Sequence, residues 1–583
     1  MTTQTNPAVN DPIAEFESFA LKPRYECNNK GVFWIGVKTS RDGEVTEAEP
    51  LRLADTIKAV GYGIDANNDY YRVIQFRDLS SRQIKTVALS MGEIGSDACW
   101  QRLQALGLFI SSEKFKQKKL ADYLKNLKEY GSKTPYHITA KAGWCKDAYI
   151  LPSGEVMQND TSKNTQRIIY NGDKSQATAY TPAGTLEEWQ TEIAQYAAGN
   201  SRLCLALGIA FAAPLLSLLH AESGGFHLFG DSSDGKTTAA LVALSVWGKP
   251  SDTKITWRGT GLGFSNIAAA RNDGLLVLDE MGQAKAKVIG DTVYGIMNGV
   301  NKVQGAKQGG NRHTDRWRIL VLSTGEKTPD AIMGKYEEWH AGQNTRLPSI
   351  PAYTGKGHGI YDSLHHFANG AELSEHLQEA VEQQHGMAGR AFIDLIDEHT
   401  PAQAREIIQT FMNTLPPLSG QARRVAQRFA LVAAAIELAA PITGLMAGVG
   451  MMGVKQCFDD WLERNGTGKM EDERIIEQAI AFMQQHAKGM RFIDWNDKIG
   501  TTNHDHAGYY KRKDKAELDE WWIIPIVFEQ EICKTFDTAK VCTVLHGVDW
   551  LQRPSSEKGW KQRKYGQGRF YVLVGMMPPH TSD

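Results

Sequence analysis

The chain lacks net charge: 65 lysines and arginines stand against 67 aspartates and glutamates, leaving -2 over 583 residues. A protein coated in positive charge is excluded, so any contact with nucleic acid has to be local. Cysteine is scarce and poorly spaced for chemistry. The seven present (Cys27, Cys99, Cys145, Cys204, Cys457, Cys533, Cys542) contain no C-x-x-C pair and are odd in number, which argues against a zinc ribbon and against a disulfide framework. With no secretory leader recognisable, a reducing cytoplasm is the expected location. Repeat arrays and long low-complexity tracts are missing too. One apolar run, Leu203 to Leu219, approaches the length of a membrane span. Pro214 interrupts it and another apolar segment follows within a few residues, so a buried core helix is expected and no membrane contact.

What is present is an ordinary globular composition, 42% apolar and 23% charged, in a chain long enough for several domains. Its most informative segment is Gly230-Asp231-Ser232-Ser233-Asp234-Gly235-Lys236-Thr237, a complete G-x-x-x-x-G-K-T phosphate loop. The apolar run Phe226 to Phe229 precedes it as a buried strand would, and Thr237 to Leu244 has helical composition. Gly230 and Gly235 let the backbone curl so that successive N–H groups face phosphate oxygens. Lys236 reaches the outer phosphates, Thr237 can ligate Mg²⁺, and Thr238 completes the segment that contacts the nucleotide. ATP with Mg²⁺ is the expected ligand.

Hydrolysis also needs acids at the mouth of a neighbouring strand. Gly274-Leu275-Leu276-Val277-Leu278 reads as that strand, with Asp279 expected to coordinate Mg²⁺ and Glu280 to polarise the attacking water. A third strand, Arg318 to Leu322, ends in Ser323-Thr324-Gly325-Glu326, where Thr324 or Ser323 is placed to sense a γ-phosphate. Arg346 follows and precedes the proline-broken Pro348-Ser349-Ile350-Pro351; a guanidinium there suits a finger reaching a neighbouring subunit's nucleotide, or else a solvated arginine. Between the acids and the sensor strand, residues 301–313 form a glycine-rich basic loop carrying Lys302, Lys307 and Arg312 with no acid, suited to gripping DNA phosphates, or else a solvated loop. A basic-aromatic segment from Arg553 to Arg569, with Trp560 and Tyr565, reads equally as a nucleic-acid-facing wing or a soluble hairpin.

Composition and periodicity divide the chain into a flexible tail (1–22), a β-rich N-terminal domain (23–135), a strand and helix connector (136–199), an α/β P-loop ATPase core (200–370), a helical domain (371–490) and a C-terminal winged-helix-like domain (491–583). Thr185-Leu186-Glu187-Glu188 marks a capped helix start, with Gly199 as its expected end.

In these motifs the chain resembles the family known as domain of unknown function 927, helicase-like ATPases of phages, plasmids and phage satellites. The resemblance rests on Val73-Ile74-Gln75-Phe76-Arg77-Asp78, on Gly143-Trp144 followed by Ile150-Leu151-Pro152, on the phosphate loop, on Leu278-Asp279-Glu280, on Ser323-Thr324-Gly325-Glu326, and on Gly342-Gln343 through Arg346-Leu347 to Ile350-Pro351-Ala352. Pro348 and Ser349 depart from the apolar-acidic pair usual there. The resemblance implies a ring-forming ATPase similar to superfamily 3 and AAA+ helicases, a homo-oligomer expected to be a hexamer, acting on DNA during replication of a mobile element. A separate primase is implied as partner, because neither zinc spacing nor an acidic D-x-D triad suggests one in this chain. A remodelling or switch ATPase acting on a protein, as in phage defence, is the competing class.

Overall fold

Strand-like alternation begins at Arg24, and its apolar phase faces a core. β1 (Arg24–Asn28), β2 (Gly31–Ile35) and β3 (Leu51–Ala54) form an antiparallel sheet in that order. Next come β4 (Lys58–Ile64), β5 (Tyr70–Arg77) and β6 (Ile84–Ser90), then α1 (Asp97–Ala105), whose N-cap Ser96 accepts from the Cys99 N–H, and α2 (Lys114–Lys125). β7 (Pro135–Thr139) follows, then a small antiparallel sheet of β8 (Gly143–Cys145), β9 (Ala148–Ile150) and β10 (Val156–Gln158), and finally β11 (Ile168–Tyr170). The larger sheet runs β11-β7-β4-β5-β6, with β4, β5 and β6 antiparallel and β7 and β11 added in parallel. Ile74, Phe76, Leu89, Trp100, Leu103, Leu120 and Leu124 belong to one buried cluster of this region.

The structure, a computed structural model, describes residues 21–126, 132–158, 167–302, 305, 314–333, 341–418, 420–466, 470–496, 505–513, 518–534, 536–554, 559–564 and 568–577. Lys307 and Arg312, most of the tail expected at 1–22, and Lys558 and Tyr565 of the basic-aromatic segment lie outside them. Two compact units make up the chain, Met1–Tyr180 with Ala270–Asn272, and Thr181–Ala269 with Asp273–Asp583.

In the second unit α3 (Leu186–Glu192) opens on the expected capping box, Thr185 and Glu188 each accepting from the other's backbone N–H. It stops before Gly199, because Ala194–Ala197 tighten into a 3₁₀ turn. The apolar run becomes α4 (Ser201–Leu218), long and apolar enough to cross a membrane by length and composition, with 89% of it buried inside the protein. Arg202, fully buried in its first turn, donates to the Pro351 carbonyl and pairs with Asp460 at 2.6 Å. That pairing suits a core helix, where a charge needs a partner.

Five parallel strands lie against α4 and the helix that follows the phosphate loop. These are β12 (Gly224–Phe229), followed by α5 (Lys236–Ser245); β13 (Ile255–Thr256); β14 (Gly274–Asp279), followed by α6 (Ala286–Met297); β15 (Ile319–Gly325); and, after the short helix α7 (Ala341–Arg346), β16 (Ser349–Pro351). Their order is β13-β14-β15-β12-β16. All seven residues of β15 are buried, as parallel strands covered on both faces require. The proline-broken segment proves to be a strand: Ser349 pairs with His227 and Pro351 with Phe229 at the sheet edge, where a missing N–H is tolerated.

The helices α8 (Gly370–Gln383), α9 (Thr400–Asn413), α10 (Gly420–Leu438), α11 (Val449–Asn465) and α12 (Met470–His486) come next, with α10 and α11 packed on α4. Beyond them are β17 (Phe492–Asp494), β18 (Gly508–Lys511), β19 (Glu520–Ile523), α13 (Thr538–Gly547), β20 (Gln562–Lys564) and β21 (Gly568–Val574). A helix and an antiparallel strand pair are present here as α13, β20 and β21. That hairpin is the edge of a five-stranded sheet, β17-β18-β19-β21-β20, in which the two Trp-rich strand faces bury Trp521 and Trp522.

Candidate functional site

Because strand order reverses beside β12, the C-terminal ends of β12, β14 and β15 open on one crevice. The octet Gly230 to Thr237 fills the turn from β12 to α5. Gly235 is the N-cap of α5 with φ 87°, a left-handed conformation that suits glycine, and an added Cβ would lie 3.0 Å from Ile360 Cγ1. Lys236 is only 7% exposed, and its ammonium donates to the Gly230 carbonyl at 3.0 Å and to the Asp231 carbonyl. Asp231, Ser232 and Ser233 are exposed, and Asp234 is half-buried.

Asp279 is where three segments meet. Its carboxylate accepts from the Thr237 hydroxyl at 3.2 Å and from the Thr324 hydroxyl at 2.5 Å, and it pairs with the Lys254 ammonium at 3.3 Å. The next residue, Glu280, is turned by a left-handed φ of 60°, and its N–H donates to the Thr324 Oγ1 at 3.0 Å. Glu280 is only half-buried, with Gly282 beside its carboxylate: a Cβ on Gly282 would lie 3.3 Å from Glu280 Oε1. Left-handed backbone at a bulky residue costs energy, and such positions concentrate at functional sites.

Alternation along β15 separates Ser323 from Thr324. Thr324 faces the acids, whereas Ser323 enters a buried chain of hydrogen bonds. The Trp257 indole N–H donates to Ser323 Oγ at 3.0 Å, and Ser323 Oγ lies 2.9 Å from His227 Nδ1. His227 Nε2 lies 3.0 Å from the Lys327 carbonyl, which fixes the neutral tautomer with the proton on Nε2. Burial pushes the His227 pKa down to about 4. Of these two adjacent hydroxyls, Thr324 contacts Asp279 and the Glu280 backbone and Ser323 does not.

Thr238 is buried, its hydroxyl accepting from Gln378 Nε2 of α8 at 2.9 Å. Arg346 ends α7, half-buried, one residue after Thr345, whose carbonyl accepts from the buried Arg428 guanidinium. Burial lowers the Arg428 pKa to about 10, and the neighbouring Arg346 charge contributes to the shift. Lys302 is exposed and stands 3.9 Å from Asp291.

Three contributors to this crevice carry no motif. Lys254 reaches Asp279 from ahead of β13, a strand of only two residues and too short to show a period. Arg464 of α11 lies over the Phe229 ring, 4.7 Å from its centroid, immediately before the phosphate loop. The segment after β16 hydrogen-bonds to the loop, Ile360 N–H donating to the Asp234 carbonyl at 2.8 Å.

Thr237 and Asp279 supply the hard oxygen donors that Mg²⁺ prefers, and the buried Lys236 ammonium beside them supplies the charge a triphosphate needs. Residues and ligand therefore fit. No curated protein matches the chain. A solved structure described as "SCCmec type IV Cch - active helicase" shares its fold, with a TM-score of 0.71 over 96% of this chain and 98% of that one at 17% identity. Another, "The A form apo structure of NrS-1 C terminal region-CTR", aligns over 67% of this chain and 89% of its own, with a TM-score of 0.26 and 9% identity. The family model described as Domain of unknown function (DUF927) matches residues 25–316, which takes in the phosphate loop and the acid pair and stops short of Thr324 and Arg346. Matched over half its length, the chain belongs to the DUF927 family.

Proposed function

We propose that the chain is an ATP-dependent DNA helicase that works as a ring, expected to be a hexamer, in the cytoplasm during replication of a phage, plasmid or satellite element, with a separate primase. The observation that carries this reading is the single carboxylate of Asp279, held at once by Thr237 of the phosphate loop and Thr324 of the neighbouring strand end. The fold shared with a solved active helicase supports it.

ATP is the substrate, with its triphosphate along Gly230 to Thr237 and Lys236 on the outer phosphates. Mg²⁺, held by Thr237 and Asp279, would neutralise charge on those phosphates. Glu280 takes a proton from the attacking water as the water oxygen bonds to the γ-phosphorus and the bond to the ADP oxygen breaks. Thr324 senses the γ-phosphate and holds Asp279 and the Glu280 backbone. Arg346 completes a neighbouring subunit's site, anchored through Thr345 by Arg428. Lys302, Lys307 and Arg312 grip DNA, and the C-terminal helix and hairpin act as a winged-helix-like element.

The test is ATP hydrolysis with and without forked DNA. Under this reading DNA stimulates hydrolysis, the fork is unwound, and the Lys302→Ala/Lys307→Ala/Arg312→Ala variant keeps basal hydrolysis but loses the stimulation. Stimulation by a protein partner and not by DNA would assign the chain to the remodelling class instead.

A further inference from the structure

The five-stranded sheet of the first unit leaves its outer strands, β6 and β11, without a partner strand on their outer sides among the described residues. A cavity of about 580 Å³ is lined by residues of both strands, by the C-terminal end of α1 and by the turn after β11. Its wall carries three cations, Lys85, Arg102 and Lys174, and no carboxylate.

Local structure explains part of this charge. Arg102 lies in the last turn of α1, where a cation suits the helix dipole, and it donates to Asn171 Oδ1 at 2.5 Å. Lys85 donates to the Leu106 carbonyl at 3.1 Å and stands 3.9 Å from Asp78. That carboxylate is already bonded to the Ser80 and Ser81 hydroxyls and backbone N–H groups. Neither consideration accounts for Lys174, which comes from a different segment and shares the cavity with Arg102. Lys174 is exposed at the rim, yet partial desolvation against the wall and the neighbouring Arg102 charge hold its ammonium below the usual lysine range. Like charges gathered in a concave, partly apolar wall repel one another unless an anion joins them, and such a wall concentrates positive potential.

Most of the remaining lining, Val87, Leu106, Ile169 and Tyr170 among it, is apolar or aromatic, with Thr86 and Asn171 as its polar side chains. A bare inorganic anion has no use for such a floor, whereas a nucleotide places phosphates on cations and its base and sugar on apolar surface. We infer that this cavity binds a phosphorylated nucleotide, free or as part of a DNA strand, through Lys85, Arg102 and Lys174. It is separate from the Gly230–Thr237 crevice and does not depend on the function proposed for that crevice.

Photo-crosslinking of the full chain tests the inference, with 8-azido-ATP in one arm and a 5-iodouracil-substituted oligothymidine in the other, each mapped by peptide mass spectrometry. The Lys236→Ala background removes labelling at the phosphate loop, so the result is readable whether or not that loop binds ATP. The expected outcome is label on the peptide containing residues 169–174, reduced at least about tenfold by Arg102→Ala/Lys174→Ala and restored by Arg102→Lys/Lys174→Arg. Lys174→Gln alone, at an exposed position, reduces the label without disturbing the fold. Label from the azido probe alone assigns a free nucleotide, and label from the oligonucleotide assigns a strand. For a strand, the double alanine variant also flattens the slope of log K against log salt by about 1.4, at about 0.7 per phosphate contact. No label at 169–174 in either arm, or label indifferent to both Arg102→Ala/Lys174→Ala and Lys174→Gln, overturns the inference.

Discussion

The Thr324 hydroxyl donates to Asp279 Oδ1 at 2.5 Å and accepts from the Glu280 N–H at 3.0 Å, so one small side chain on β15 holds both acids at the end of β14. The acids depend on a neighbouring strand for their geometry, and several expectations rest on that dependence.

Thr324→Val removes the donor to Asp279 and the acceptor for Glu280 while conserving volume. Unfolding free energy should fall by about 1–3 kcal/mol, because a buried carboxylate and a backbone N–H lose their partners. ATP turnover should fall more than nucleotide affinity. Denaturant unfolding together with separate determinations of kcat and the nucleotide Kd checks both, and an unchanged kcat would remove Thr324 from the site.

Glu280→Gln keeps shape and hydrogen-bonding capacity but removes the proton acceptor. Hydrolysis should drop by about 10²–10⁴-fold, with binding of a fluorescent ATP analogue retained. A static nucleotide-binding scaffold would show no change in either measurement.

Gly235→Ala puts a Cβ on a residue with φ 87° and brings it to 3.0 Å from Ile360 Cγ1. Left-handed backbone costs a non-glycine residue about 1–2 kcal/mol, so the melting temperature should fall. Under the proposed function the thermal shift produced by adding Mg·ATP should also vanish, since the strain sits at the helix start assigned to the phosphates. Scanning calorimetry with and without nucleotide separates the two effects.

His227 makes stability pH-dependent. Its pKa is about 4 in the folded protein, below the ordinary 6.5, so the unfolded chain binds the proton more readily and protonation favours unfolding. This contribution is complete above about pH 6.5 and is lost as pH falls toward 4, amounting to about 3 kcal/mol at 1.36 kcal/mol per unit. Comparing urea unfolding of the wild type with His227→Asn from neutral to acidic pH reads it directly. The stability difference between them should narrow on acidification, and a constant difference would count against a neutral buried imidazole.

The turn at Gly230–Thr237 and the strands that end in it and in Asp279 were legible in the amino-acid order because each is local. A contiguous octet forms a turn between a strand and a helix, and an apolar run ending in two acids forms a strand mouth. The apolar run Leu203 to Leu219 likewise became the core helix its proline and neighbours suggested. The edge strand Ser349–Pro351 was missed because Pro351 and the preceding Pro348 read as a break, although a sheet edge tolerates them.

Local composition thus determined which residues form the turn, the apolar strands and the acids. Only the tertiary structure decided which of two adjacent hydroxyls meets them, since that depends on which face of β15 turns toward β14. It also decided that Lys254 pairs with Asp279, that Arg464 covers Phe229 and that Arg102 and Lys174 share one cavity. Such contacts join residues far apart along the chain, and no periodicity or short motif records them.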